Sequence, residues 1–124
     1  MFLNKMSLQN DLVGLAMHAS ALANDVIQNN IANVDVPNFK RSTVVFESVF
    51  QNVVDTARST GVLQRDRIVP RVVVQHQNLS HRLDGNNVDI ETEMVALYQN
   101  SVRFEVMASM LLNNSQRRSL AYQQ

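Results

Sequence analysis

Histidine is the first residue type to consider for chemistry, because imidazole titrates near neutral pH and binds metal ions. The 124-residue sequence contains three, His18, His76 and His81. No two of them have the i, i+4 spacing of a helical metal motif, and no carboxylate is spaced to complete a ligand set. We therefore interpret His18 as a residue beside a helix face and the other two as members of a polar loop, and we predict no metal site.

Nucleophilic catalysis has no better basis in this sequence. There are no cysteines, which excludes disulfides, thiolate metal ligands and a thiol nucleophile. Ser101 and Ser115 have no accompanying His–Asp arrangement, so we interpret them as small packing positions. The sequence thus predicts a protein that is not an enzyme and that needs no cofactor.

The charge pattern also argues against nucleic acid and membrane partners. The net charge is zero, and no apolar run approaches the roughly 18 residues of a membrane span. Residues 40–85 contain seven basic and four acidic residues, but they lack the interleaved aromatic residues of a nucleic-acid patch. We interpret this basic excess as a solvated face or as a contact to neighbouring subunits.

The longest regular pattern, which must position everything else, runs from about Asn87 to Tyr122. Apolar or small residues recur there at alternating spacings of four and three, the 3.5-residue repeat of a helix that faces a partner. Asn87 or Asp89 is the predicted N-cap, with Glu91 and Glu93 in the first turn. A helix of this length, roughly 50 Å, cannot be covered by so short a chain and needs a partner. The predicted seam is Ile90, Met94, Leu97, Ser101, Phe104, Ala108, Leu111 and Ser115. It is widened, enough for two partners, by Val95, Tyr98, Val102, Val106 and Met110.

Residues 1–33 repeat the same spacing. Two seams of one period, one at each end of the chain, predict an antiparallel, coiled-coil-like helix pair. Asn29 and Asn33 continue the first seam as amides, which can fix its register because a buried amide must find a partner. The helix should end near Asn33, because Val36 precedes Pro37 and is disfavoured in helical conformation. The first seam is Leu8, Leu12, Leu15, Ala19, Leu22, Val26, Asn29 and Asn33.

The middle of the chain predicts a small irregular region that contains some β-structure. Apolar residues at helical spacing favour a short helix at about 46–59, with Gly61 as its stop. Val72–Val74 is the best strand candidate, and Pro70 restricts it to a sheet edge or to no sheet. Residues 78–87 have the composition of a loop with strong turn chemistry. The fold prediction is therefore mainly α, divided into residues 1–34, 35–85 and 86–124.

Two stretches resemble a known family. Residues 29–40, NNIANVDVPNFK, resemble the signature NNIANxxTPGYK of flagellar axial proteins of the rod and hook class. Residues 83–94, LDGNNVDIETEM, and 100–105, NSVRFE, resemble the pattern LDGNNVDxxxEM followed by NSxxYE of its basal-body rod branch. Val36 replaces the usual Thr and Asn38 the usual Gly, while Phe39 and Phe104 replace Tyr. Because Asn also adopts left-handed backbone angles, we expect the turn at Asn38 to be retained.

The resemblance implies a structural subunit of the bacterial flagellar basal-body rod, in the proximal rod within the periplasm. Such a subunit would polymerise through its terminal helices into a hollow tube that transmits torque and passes exported subunits. The implied partners are copies of itself, other rod proteins, the ring-to-rod adaptor and the flagellar type III export apparatus. Export would occur without a cleaved signal peptide. Residues 1–34 and 86–124 would be the axial helices and 35–85 a variable outer region.

The expected assembly interface follows both seams and both signature stretches. It consists of Leu8, Leu12, Leu15, Leu22, Val26, Asn29, Asn30, Asn33, Pro37, Phe39, Asn86, Asn87, Met94, Leu97, Ser101, Phe104 and Leu111. The alternative interpretation is a cytosolic helical coiled-coil binding module, such as a chaperone or a dimeric regulator.

Overall fold

Two long helices form the body of the protein, as predicted. The computed structural model describes residues 2–76 and 82–123. Within these residues the helices are α1, Phe2–Ala32, α2, Glu47–Thr60, and α3, Ile90–Tyr122; the strands are β1, Ser42–Val45, and β2, Arg71–Val74; and a 3-10 turn spans Arg65–Arg67. Part of the loop expected at 78–87 lies outside the described residues.

The termini of α1 and α3 follow from local sequence signals. The chain leaves α1 after Ala32, shortly before the Val36–Pro37 dipeptide that disfavours helix. Asp89 is the N-cap of α3, where it has extended backbone angles and its carboxylate accepts a hydrogen bond of 3.1 Å from the Glu91 N–H. No Pro or Gly occurs within α3, so the helix continues for 33 residues.

Helices α1 and α3 pack against each other in antiparallel orientation. Hydrogen bonds join Asn10 to Asn114 near the chain termini and Ser20 to Asn100 further along the pair. Beside the end of α1, β1 packs against the helix and pairs with β2. The hairpin therefore lies at one end of the helix pair, and the two helices extend away from it.

The stripe of α3 that faces α1 is displaced from the predicted seam. It keeps the alternating spacing of four and three, but every second position is polar or Met. Its buried and half-buried members are Glu93, Leu97, Asn100, Phe104, Met107, Leu111 and Asn114. Of the predicted seam residues, Ile90 and Met94 are instead 46% and 52% exposed. The predicted period is confirmed, and Leu97, Phe104 and Leu111 of the predicted seam lie on this stripe. The positions that alternate with them differ, because a search for apolar residues passes over buried amides.

The middle of the chain contains the predicted short helix and strand. Gly61 ends α2 in left-handed conformation, with φ of 73°, and its N–H donates to the Ala57 carbonyl. Strands β1 and β2 are antiparallel, with Ser42 opposite Val74 and Val45 opposite Arg71. Since the described sheet has two strands, β2 is an edge strand, as Pro70 indicated.

Candidate assembly surface and polar junction

The most deeply buried large side chains of the described residues are polar. Asn30, Asn86 and Glu93 are each 0% exposed. They lie where α1 ends and α3 begins, in the two stretches that resemble the flagellar signatures. Together with Arg41 and Asn87 we call them the polar junction.

Asn30 ties three elements together through one side chain. Its Nδ2 donates to the Ser42 carbonyl at 2.8 Å, and its Oδ1 accepts from the Ser42 N–H at 2.9 Å. The same Nδ2 also donates to Oε2 of Glu93 at 3.2 Å. The amide thus pairs with β1 as a neighbouring strand would, while it connects the last turn of α1 to the first turn of α3.

Glu93 forms the charged part of the junction. Its Oε1 lies 2.6 Å from Nε of Arg41, and the two side chains are 1% and 25% exposed. Arg41 also donates from Nη1 to Oε1 of Gln75 at 2.7 Å. A buried carboxylate needs a charged partner and hydrogen bonds to offset its lost hydration. Arg41 and Asn30 supply both, so Glu93 links the hairpin to α3.

Asn86 holds the chain that leaves α1. Its Nδ2 donates to the carbonyls of Asn33, Val34 and Val36 at 3.0, 3.0 and 2.8 Å, and its Oδ1 accepts from the Val88 N–H at 2.8 Å. Carbonyls beyond a helix end need such partners when they are removed from water. One amide therefore fixes the exit from α1 against the entry to α3.

Asn87 binds the hairpin beside Asn86. Its Oδ1 accepts from the Arg41 N–H at 2.6 Å, and its Nδ2 donates to the Gln75 carbonyl at 2.9 Å. The two strands are thereby joined across their open end, where the Gln75 N–H also donates to the Arg41 carbonyl. The adjacent amides Asn86 and Asn87 thus serve α1 and the hairpin respectively.

The turn between α1 and β1 has the predicted left-handed residue. Asn38 has φ of 61°, and its N–H donates to the Asp84 carbonyl at 2.8 Å. Gly85 packs against it, also at positive φ, and a Cβ there would lie 2.6 Å from Oδ1 of Asn38. Asn at position 38 therefore serves where the family pattern has Gly, and Gly85 is required by both conformation and space.

The junction is complete within the chain and has no reactive group. Every buried polar side-chain atom of the described residues has a hydrogen-bond partner. No group of three His, Asp or Glu side chains in the described part of the chain is arranged to hold a metal ion. At its edge, the Thr92 hydroxyl, and then the backbone amides of Thr92 and Glu91, hold the pKa of the exposed Asp89 carboxyl below its usual value. These contacts stabilise a shape.

The opposite side of α3 presents an apolar surface. We call it the outer face, and its exposed members are Val95, Tyr98, Val102, Val106, Met110, Leu112 and Leu120. Tyr98 is 72% and Leu112 66% exposed. Val102 and Val106 also line a groove that contains Phe46 and Phe50. The other members lie further from this groove, and an exposed apolar surface marks a site of protein or membrane contact. In the described part of the chain, no helix combines the length and apolarity that a membrane span requires.

The structure distributes the expected interface residues among three environments. Val26, Asn30 and Asn86 are buried within the chain. Asn29, Pro37 and Met94 are exposed. The remaining members are half-buried: Leu8, Leu12, Leu15, Leu22, Asn33, Phe39, Asn87, Leu97, Ser101, Phe104 and Leu111. The buried amides thus serve the internal junction, as does Asn87, and Leu97, Phe104 and Leu111 belong to the stripe of α3 that faces α1.

Sequence reasoning missed two features of this region. The sequence places Arg41 in a basic excess and Glu93 in the first turn of a helix, but it does not indicate that they form an ion pair. The buried amides Asn100 and Asn114 were overlooked, although Glu93, Asn100 and Asn114 recur at multiples of seven residues. A search for polar residues with heptad spacing would have found them.

Comparison with known proteins gives the family. The flagella basal body rod protein family matches residues 15–40, from the middle of α1 to the turn beyond it. The FlgB basal body rod protein of Borreliella burgdorferi is 34% identical over 104 residues, covering 72% of this chain and 76% of the relative. This chain belongs to the FlgB family of flagellar basal body rod proteins. The FlgB proteins of Borrelia hermsii and Bacillus subtilis are 31% and 29% identical, over 80% and 74% of this chain and 84% and 75% of their own.

Family membership gives meaning to the structure. A FlgB-family chain is a structural subunit of the flagellar basal body rod, so it associates with other components of the basal body. The family match includes Asn30 of the polar junction and the helix that pairs with α3. The FlgB relationship does not favour the alternative of a cytosolic coiled-coil module.

Proposed function

We propose that this FlgB-family subunit polymerises through its terminal helices, with copies of itself and with other rod proteins, into the hollow proximal rod. The tube would lie in the periplasm, transmit torque and pass exported subunits. The observation that carries this proposal is the outer face of α3, an apolar surface on a chain whose buried polar groups are already satisfied.

The geometry of α3 explains why neighbours are needed. At 1.5 Å per residue the helix is roughly 50 Å long, and α1 covers one side of it. The exposed residues Val95 and Val102 are seven residues apart, and Tyr98 lies between them, so one further helix could pack along this stripe. Helices that interdigitate between many subunits would make the tube stiff without any catalysis.

The remaining parts of the chain fit an outward position. We assign residues 1–34 and 86–124 to the axial helices and 35–85 to an outer region that the polar junction holds at a fixed place. Exposed charges such as Arg67 and Arg71 suit solvent or a rim contact there. The ring-to-rod adaptor is the proposed neighbour at the base, and export by the type III apparatus is proposed to leave the N-terminus uncleaved.

The test is the variant Tyr98→Asp, Leu112→Asp in place of the chromosomal gene. These residues are 72% and 66% exposed, so the isolated chain should keep its helix content and its export. A carboxylate buried in an apolar contact is strongly unfavourable, so we expect rods in isolated basal bodies to fall by about tenfold or more, and swimming to be lost. Electron microscopy of basal bodies and motility assays measure this.

The matched control is Asn52→Asp with Gln64→Asp, which adds two carboxylates at exposed polar positions of the outer region. Rods and swimming should be normal in this control. Normal rods in the Tyr98→Asp, Leu112→Asp strain, with the variant chain incorporated, would refute assembly through the outer face.

A further inference from the structure

Polar residues occupy the centre of the helix pair at regular intervals. On α3, Asn100 and Asn114 are 9% and 7% exposed, and they occupy the same heptad position as Glu93. A pair of helices that needed only cohesion would place apolar residues at these positions.

Each of these amides meets polar groups on α1. Asn100 donates from Nδ2 to the Ser20 carbonyl at 2.7 Å and to Oδ1 of Asn24 at 2.8 Å, and its Oδ1 accepts from the Ser20 hydroxyl at 2.9 Å. Asn114 donates from Nδ2 to Oδ1 of Asn10 at 2.9 Å. We call these contacts the inner and the outer amide layer.

We propose that the two amide layers keep α1 and α3 in register along the helix pair, beyond the end that the polar junction fixes. This inference concerns the folding of the single chain, and it does not depend on which surfaces meet in the rod. The layers would act by penalising shifted pairings and not by adding cohesion to the native one.

The spacing of the layers distinguishes the native register from its one-heptad neighbours. Asn10 and Asn24 are fourteen residues apart on α1, and Asn100 and Asn114 are fourteen apart on α3. A shift of one heptad in either direction places Asn100 opposite Met17 or Ile31. A buried amide without a partner then disfavours the shifted pairing by about tenfold to a hundredfold.

Away from the polar junction, the rest of the seam cannot supply this discrimination. Between the layers it contains apolar side chains, among them Met17 on α1 and Phe104 and Met107 on α3. Adaptable side chains such as Met repack after a one-heptad shift at little cost. The amide layers have the position and the chemistry that are needed to reject such a shift.

The experiment replaces both sides of each layer with leucine: Asn10→Leu, Asn24→Leu, Asn100→Leu and Asn114→Leu in the full chain. Replacing both partners of a buried hydrogen bond by apolar groups leaves stability similar or higher. The Ser20 hydroxyl, which loses its acceptor on Asn100, can donate to a carbonyl one turn earlier in α1. We therefore expect a melting temperature equal to or above that of the unmodified chain, together with loss of a unique register.

Register is read with engineered disulfides, since the chain has no cysteine of its own. Val13→Cys with Leu111→Cys, one layer inward from the Asn10–Asn114 contact, reports the native pairing. Val13→Cys with Arg118→Cys or with Phe104→Cys reports a shift of one heptad to either side. Mild oxidation, followed by mass spectrometry of the monomeric fraction, should give a rise of about tenfold in the shifted disulfides of the four-leucine chain.

The control makes four amide-to-leucine changes at exposed positions: Gln9→Leu, Gln28→Leu, Gln99→Leu and Asn113→Leu. It should keep the native disulfide alone. Unchanged disulfides in the four-leucine chain would overturn the inference. A lower melting temperature with the native disulfide alone would also overturn it, because the amides would then only stabilise the fold.

If the four-leucine chain does not fold, the variant Asn10→Leu, Asn114→Leu removes the outer amide layer alone. It should give a smaller rise in the shifted disulfides, and no rise would again overturn the inference.

Discussion

The polar junction and the outer face of α3 are opposites within one short chain. In the junction, polar groups such as Asn86 and Glu93 are fully buried and fully hydrogen-bonded by their own chain. On the outer face, apolar residues such as Tyr98 and Leu112 are mostly exposed, and no described residue covers them. The first region is complete in the monomer, whereas the second is complete only with neighbours.

The contrast indicates that one region sets the shape of the subunit and the other its contacts with neighbouring subunits. Directional hydrogen bonds in the junction fix how the hairpin and the two long helices are oriented. Apolar contact is non-directional, so the outer face can adhere to neighbours without setting the internal geometry. A subunit built in this way can keep one shape before and after it enters a polymer. Variants in the two regions should therefore change different measurements.

The largest effect on the isolated chain should come from Glu93→Ala. The substitution leaves the Arg41 guanidinium without its carboxylate and removes a hydrogen bond from Asn30. We expect the free energy of unfolding to fall by about 3 kcal/mol, the lower end of the range for breaking a buried ion pair, because Arg41 keeps some contact with solvent. Urea unfolding monitored by circular dichroism measures this, and Glu91→Ala, at an exposed position of the same turn, should change stability by less than about 0.5 kcal/mol. A loss at position 93 no larger than that of Glu91→Ala would remove the distinction between the two regions.

A smaller loss is expected for Asn86→Ala. It removes the hydrogen-bond acceptor of the Val88 N–H. The Val34 and Val36 carbonyls lose one donor each but keep hydrogen bonds from Arg82 and from the Phe39 N–H. We expect a decrease of about 2 kcal/mol in the free energy of unfolding, because these groups are only partly accessible to water. Hydrogen exchange should rise first at the Val88 amide. Asn113→Ala, exposed on α3, is the control; equal stability of the two variants would mean that Asn86 does not hold the exit from α1.

Features that depend on neighbouring residues were predictable from sequence. The Val36–Pro37 dipeptide ends α1, Asp89 caps α3 and Gly61 ends α2, each through local backbone chemistry. The left-handed turn at Asn38 was predicted from the same kind of argument. The antiparallel pairing followed from two matching periods.

Features that depend on distant partners were not predictable. Arg41 and Glu93 are 52 residues apart, and nothing local to either indicates the other. Part of the α3 stripe was not predicted because its contacts with α1 include Asn100 and Asn114, which an apolar pattern omits. A polar residue can be assigned to the interior only when its hydrogen-bond partner is known, because buried polar groups are hydrogen-bonded. The surface role of the expected interface residues remains a prediction.

The smallest effect should be the pH dependence of the cap at Asp89, which lies between the two regions. The Thr92 hydroxyl, followed by the amides of Thr92 and Glu91, lowers the pKa of this carboxyl in the folded chain. A folded-state pKa below the unfolded one means that the carboxylate stabilises the fold above about pH 4 and that this contribution is lost as the pH falls through the folded value. Asn also caps helices but does not titrate, so Asp89→Asn should be slightly less stable at neutral pH and approach the unmodified chain in acid. Unfolding curves between about pH 2.5 and 7 test this. A difference that grows in acid would have the wrong sign for a capping carboxylate and would refute this role of Asp89.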